Sequence, residues 1–325
     1  MPATRSGARA RGGFTLLELL TVLVIFGILL GITAAFMQGA NRDLGLGAAT
    51  NRTVGLLRVA HQESRSSAAP SWVVLDTKLN RVYLLMKETV GEWHLEDLVT
   101  TGAFGRDGKV TGGTLVNGRV GKAVQLSASA SIAFGEVPTY APDQGIAIEF
   151  WFLRRSGRGR GTLCSVGDAV EVTAETDGRI EARVGTLRVS SGQIHLPNDV
   201  WCHLQLVYSG RELKLILNRR EVQSLLGRSE LPRGASFNVG GSGFTGVVDE
   251  VRLGLIIPRE EYYLPSECSF TFKGHPVPDA GEVVISFDPE GRLDPAVTPQ
   301  PFTFSVKSPA DTKEITIGPG GTLQR

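Results

Sequence analysis

Residues 13–35 read GFTLLELLTVLVIFGILLGITAA, and the rest of the chain is best read outward from them. Glu18 is the one ionisable group in this run. The run is long enough to cross a hydrocarbon core of about 30 Å as a helix. Residues 1–13, MPATRSGARARGG, are basic through Arg5, Arg9 and Arg11. Those arginines stay on the cytoplasmic side, which places the C-terminal part across the membrane. A cleaved secretory signal would have a shorter apolar region and end on small residues, a pattern that Ala34-Ala35 only mimics. A carboxyl group at that depth costs about 2.5–3.5 kcal/mol on insertion scales, so Glu18 reads as functional.

The stretch Gly13-Phe14-Thr15-Leu16-Leu17-Glu18 resembles the prepilin processing motif at every position. The resemblance implies cleavage after Gly13 by a prepilin peptidase and N-methylation of the new first residue, Phe14. It also implies a filament role for Glu18, facing the free amine of a neighbouring subunit's Phe14. Opposite charges in a low dielectric need each other, and their pairing would set the axial register between helices.

No proline occurs from residue 14 to 69. Leu46, Ala49, Leu56, Leu57 and Ala60 recur at helical spacing, with Arg52, Arg58 and Glu63 for the opposite face. The pattern predicts one helix from Phe14 to about Ser66, with Gly45 and Gly47 as the place for a bend. Pro70 ends it. Ser71–Leu75 and Arg81–Met86 then read as a hairpin around Asp76-Thr77-Lys78-Leu79-Asn80. Residues 58–69, RVAHQESRSSAA, with that hairpin resemble the H-type pseudopilins of type II secretion. The strand Glu282–Phe287, the turn Asp288-Pro289-Glu290-Gly291-Arg292 and the strands at 302–306 and 315–317 resemble the second half of the same domain.

Between these halves the chain becomes rich in glycine and in short alternating strands. Strands are expected at 146–153, 161–166, 170–174, 179–184, 186–189, 201–208, 213–217 and 246–253, which argues for a β-sandwich. Three stretches resemble a laminin G-like, concanavalin A-type jelly roll: IAIEFWFLRR at 146–155, WCHLQLVYSGRELKLILNRREV at 201–222 and FTGVVDEVRLG at 244–254. The fold class expected is therefore α+β: a long N-terminal transmembrane helix on a small antiparallel pilin sheet, interrupted by that sandwich. The segments expected are a leader at 1–13, a membrane or filament-core helix at 14–37, pseudopilin helix and hairpin at 38–98, the insert at 99–256, and the remaining pilin strands at 257–325.

The rest of the chain offers little chemistry. The net charge of +1 gives no reason to expect nucleic acid. The three cysteines, Cys164, Cys202 and Cys268, contain no CxxC pair and read as buried thiols, with one disulfide left open. Val247-Val248-Asp249-Glu250-Val251-Arg252 lacks both outer glutamates of an ExDxxE glucanase strand, and neighbouring strand residues face opposite ways, so no catalytic residue is expected. Asp168, Asp177 and Asp249 are the oxygens from which a calcium site would be built. No DxDxDG run joins them, and no cofactor or metal site is assigned. Arg154, Arg155, Arg158 and Arg160 read as a solvated turn. Trp201 and His203 read as core or inter-sheet packing and not as ligands, and Trp93 as packing at the joint between pilin part and insert.

The expected function is that of a minor pseudopilin in the inner membrane, its C-terminal region periplasmic. Its expected partners are prepilin peptidase, other pseudopilins or pilins, and the membrane; a glycan or a secreted protein is expected at the insert. A minor type IV pilus adhesin and an anchored carbohydrate-binding protein without a filament role are the alternatives.

Overall fold

The computed structural model describes residues 16–100, 102, 107–138, 144–155, 159–231, 233–274, 277–278 and 281–324, with backbone alone for 34–43. One helix of 52 residues, Leu16–Ser67, begins the described chain. At 1.5 Å per residue it is about 78 Å long. It runs unbroken through Gly45 and Gly47. A Cβ on Gly45 would come within 3.1 Å of the Glu267 carboxylate, so the glycine lets another segment approach the helix closely. The helix stops at Ser67. Ala68 takes a left-handed conformation (φ 47°) and Pro70 follows, a familiar way to close a helix.

From Leu46 onward one face of the helix is buried through Leu46, Ala49, Val54, Leu56, Leu57 and Ala60. Buried hydroxyls on that half return to the helix: Thr50 Oγ1 donates to Leu46 O and Thr53 Oγ1 to Ala49 O, both at 2.8 Å, and Ser64 Oγ to His61 O at 3.0 Å. They can therefore lie inside without an unmade hydrogen bond. This face packs on Val73, Leu75, Val82, Leu84, Ile285 and Phe287, and on Phe302, Phe304 and Ile315. Ser71 Oγ, donating to Ala60 O at 2.7 Å, ties the first strand to the helix.

Among the described residues the strands form three antiparallel sheets. The largest has ten strands. Its main path runs Arg220–Leu226, Glu212–Leu217, Trp201–Tyr208, Gly145–Arg154, Gly246–Tyr263, Arg81–Trp93, Ser71–Asp76 and Glu282–Phe287. An eight-stranded sheet covers the first half of one face, and the pair encloses the sandwich core around Phe150, Phe152, Phe237 and Trp93. The helix covers the other half of that same face. A small sheet of Ser269–Phe272, Phe302–Lys307, Thr312–Ile317 and Leu323–Gln324 closes the helix side.

The expectation of a separate small pilin sheet is corrected here. The hairpin and Glu282–Phe287 belong to the same sheet as the sandwich. The reason is strand length. Arg81–Trp93 has 13 residues where six were expected, and Gly246–Tyr263 has 18 where eight were expected. Paired from Val251↔Trp93 to Tyr263↔Arg81, they carry one hydrogen-bonded ladder from the helix-backed half into the sandwich. Gly91 makes room at the crossing, because a Cβ there would lie 2.2 Å from the Trp93 ring. Trp93 itself packs inside the sandwich core, 4.2 Å from Phe134 between ring centroids.

The second face of the large sheet is also covered, by the sheet itself. Trp72, Val74, Tyr83 and Leu85 from the hairpin share a third core with Ala147, Val207, Ile216 and Ile256. Ser71–Asp76 and Glu212–Leu217 are not neighbours in the sheet, so their contact means that the sheet curls until its ends meet. Polar groups line the seam. Trp72 Nε1 donates to the Glu212 carboxylate, and Ser286 Oγ donates to it at 3.0 Å. Arg211 Nε donates to Glu282 at 2.6 Å. Lys214, fully buried, meets Glu212 at 3.1 Å, Glu221 at 2.9 Å and Asp294 at 2.5 Å.

Three carboxylates around one ammonium leave an excess of negative charge away from water. Burial alone would strip Lys214 of its proton, but the carboxylates hold it charged. Burial opposes ionisation of Asp294 as well, yet Lys214 keeps that group below its usual range. Glu212 takes up the imbalance: burial pushes its carboxyl up to about 7, against the pull of Lys214. A carboxyl raised in the folded state stabilises the fold fully below its unfolded value of about 4.3, and that contribution fades as pH rises to about 7. The full chain in detergent should therefore lose stability from pH 5 to 7.5 relative to Glu212→Gln, by an amount on the order of 2–3 kcal/mol. Parallel melting curves of the two proteins across that range would refute the assignment.

Candidate functional site

Two regions of the surface stand out, one for its apolarity and one for its concave, polar lining. The first is the N-terminal part of the helix. Leu16–Thr33 has a mean hydropathy of 2.5 and none of it is buried. Its 18 residues span about 27 Å, close to a hydrocarbon thickness. Thr21 Oγ1 donates to Leu17 O at 2.8 Å and Thr33 Oγ1 to Leu29 O at 2.5 Å, so both hydroxyls are satisfied within the helix. That suits apolar surroundings. Glu18 sits in the first turn of this segment and is exposed. Gly13 and Phe14, the expected cleavage and methylation positions, lie outside the described residues.

The second region is a groove on the outer face of the eight-stranded sheet. Along Val170–Ala174 and Ile180–Val184, Val170, Val172, Ile180, Ala182 and Val184 point into the sandwich core. Glu171, Thr173, Glu181 and Arg183 therefore point out. With Arg160, Arg188 and Gln223 they line a cavity of about 230 Å³. Arg183 meets Glu171 at 3.7 Å and Arg160 meets Glu175 at 3.1 Å. Gln223 Oε1 accepts from Ser190 N at 2.6 Å, which holds the groove's end to the edge strand of the other sheet. The lining offers donors and acceptors of both signs and little apolar area. It fits a ligand dense in hydroxyl or mixed polar groups.

The remaining sequence candidates are structural. Asp249 is fully buried and caps the loop before residue 122. Its Oδ2 accepts from Arg119 N at 2.8 Å and Val120 N at 3.1 Å, and Oδ1 accepts from Glu250 N at 2.9 Å. Burial pushes its carboxyl up to about 6 in spite of those donors. Asp177 is exposed and accepts from Arg179 N at 3.0 Å. Cys164, Cys202 and Cys268 are free and buried.

Two readings are corrected in part. Arg154 is not on a solvated turn: it is buried and donates to Thr176 O at 2.8 Å, at the end of Gly145–Arg154. Arg155 meets Asp199 at 2.9 Å, and Arg158 lies outside the described residues. His203 is buried, as expected of a packing residue, but not between the sandwich sheets. Its neighbours Cys202 and Leu204 face that core, so His203 lies on the other side, against Glu149 at 3.0 Å and the Trp151 ring at 4.7 Å. Burial works against the Glu149 charge, but the His203 hydrogen bond and Lys87, at 2.6 Å, hold its carboxyl well below the usual range. Apart from Arg160, read as part of a solvated turn, the groove residues were passed over in the sequence. Their signal was the alternation of polar with apolar letters along two adjacent strands.

Residues 8–34 match the prokaryotic N-terminal methylation motif. The N-terminus is type IV pilin-like. Together with the exposed apolar helix, the motif points to a membrane-anchored, pilin-like protein, and it implies a prepilin peptidase and other pilins as partners. No curated protein matches the chain. Similar solved structures cover about half of it. Domain 4 of AbnA, a GH43 extracellular arabinanase from Geobacillus stearothermophilus, solved with arabinotriose, is 19% identical over 52% of this chain and 92% of that one, with a TM-score of 0.43. The binding domain of Paraclostridial Mosquitocidal Protein 1 is 15% identical over 54% and 48%, at 0.41. A Trypanosoma rangeli sialidase is 12% identical over 51% and 30%, also at 0.41.

Replacing Asp249 by Ala leaves three backbone N–H groups without their acceptor. The expected cost is about 3 kcal/mol in chemical denaturation, with faster hydrogen exchange confined at first to the loop before residue 122. A change under about 0.5 kcal/mol would show that this carboxylate does not hold the loop.

Proposed function

We propose that the chain is a minor pseudopilin of a type II secretion pseudopilus and that its sandwich binds a ligand or partner outside the filament axis. One observation carries this reading: a single helix presents a bare apolar segment with Glu18 at its start and buries its other half on the sheet. A helix that served only as an anchor would not need a carboxylate at that depth. In this reading residues 1–13 are the leader. Prepilin peptidase cuts between Gly13 and Phe14, Phe14 is methylated, and Glu18 pairs with the amine of a neighbouring Phe14. The helix at 14–37 waits in the inner membrane with the C-terminal region in the periplasm. Residues 99–256 form the laminin G-like insert, flanked by pseudopilin segments at 38–98 and 257–325.

Mass spectrometry of the mature protein tests this directly. The expected N-terminus is methylated phenylalanine at position 14, with Gly13→Ala retaining the leader. Glu18→Ala should be processed yet lose incorporation into filaments, seen as missing cross-linked ladders. A chain that begins at Met1, or beyond Ala35, rules the reading out.

The polar groove favours a second reading, in which the subunit belongs to a type IV pilus and its sandwich holds a glycan. Arg183, Arg188 and Gln223 would then hydrogen-bond to sugar hydroxyls or acidic groups. Glycan-array binding by the full chain in detergent should weaken at least tenfold in Arg183→Ala and Gln223→Ala. Signals equal to wild type in both variants would take the groove out of ligand binding.

A further inference from the structure

A cluster at the crossing between the two halves of the molecule has no part in assembly or in the groove. Glu92 is the penultimate residue of the strand Arg81–Trp93, and His94 follows that strand directly. Glu250 lies on the adjacent strand, where Val251 pairs with Trp93 and Arg252 with Glu92. One ligand atom from each of Glu92, His94 and Glu250 lies within 4.8 Å of the other two. Both Glu250 carboxylate oxygens are 3.0 Å from His94 Nδ1.

The backbone is shaped to bring these groups together. In a regular strand Asp249 and Glu250 would face opposite sides of the sheet. Here the ladder shifts register between Asp249 and Arg252, and Glu250 is left-handed at φ 52°. Such a bulge re-aims side chains, and a residue other than glycine takes this conformation only where its surroundings hold it there. It sends Asp249 to the amides of residues 119 and 120, and Glu250 to His94.

We infer that Glu92, His94 and Glu250 form a divalent transition-metal site, with zinc the best-fitting ion. One imidazole nitrogen and two carboxylate oxygens are borderline donors that suit zinc, whereas calcium and magnesium prefer all-oxygen shells. Arg252 orients the set. Its Nε donates to Glu92 Oε1 at 2.6 Å, which leaves Oε2 for the ion, and its Nη2 lies 3.8 Å from Glu250. Arg252 also cancels one of the two carboxylate charges, which moderates the affinity. Access is open, because the His94 side chain is 56% exposed while that of Glu250 is 11% exposed. A bound ion would pin the end of one crossing strand to the bulge of the other.

The test is isothermal titration of zinc chloride into untagged, chelator-stripped full chain in detergent. Uptake of one equivalent is expected, at least tenfold weaker in His94→Ala and in Glu250→Gln, together with a rise in melting temperature that His94→Ala abolishes. His94 is exposed, so this variant folds, and circular dichroism checks that it does. His195→Ala, which alters the exposed histidine beside Asp177, should bind as wild type does. Absence of uptake, equal affinity in His94→Ala, or displacement of zinc by millimolar calcium would each overturn the assignment.

Discussion

The ladder between Arg81–Trp93 and Gly246–Tyr263 is the constraint on which the rest of the structure depends. These two strands are the middle of the large sheet and the crossing between its halves. On one side of the crossing the helix covers the sheet; on the other the eight-stranded sheet does. Neither half could bury its apolar face with this shape if the strands stopped where a short hairpin would. Because they continue, the sheet is long enough to curl, and the curl creates the third core around Trp72 and Ile216.

The seam of that curl contains buried charged groups. Lys214 and Glu212 are wholly buried, and Asp294 nearly so. Taking such charges from water is repaid only through close mutual contact and complete hydrogen bonding. The arrangement therefore contributes specificity of closure more than stability: only one register of the two sheet ends brings Lys214 to Asp294, Trp72 to Glu212 and Arg211 to Glu282 at once. The same reasoning separates the seam from the groove on the outer sheet, where the charged groups keep contact with water and remain available to a ligand.

Much of this was legible in the sequence. The apolar run after Gly13, the helical recurrence from Leu46 to Ala60 and the alternating strands announce themselves through periodicities of 3.6 and 2. Strand ends were less legible. Glu88, Glu92, Arg259 and Glu260 lie beyond the strand ends expected at residues 86 and 253, yet belong to two central strands and form ion pairs or keep contact with water. The curl was not legible at all. Glu212-Leu213-Lys214-Leu215-Ile216-Leu217 reads as a half-exposed strand with its charges in water, and nothing local reveals that residues 72 and 294 will cover them. The groove was partly legible, since its outward positions follow from the alternation, but their convergence depends on how four strands are ordered. The cluster at residues 92, 94 and 250 depends on a register shift that pattern alone does not announce.

The crossing has a mechanical consequence. The sandwich is joined to the helix by two hydrogen-bonded strands side by side, with no linker on which to swivel, so it keeps a fixed azimuth about the helix axis. In an ordered stack of such helices every sandwich would point outward at an angle set by the helical repeat, and its groove would recur at regular intervals. A load applied to the sandwich would pass along both backbones in parallel, down to the helix-backed half.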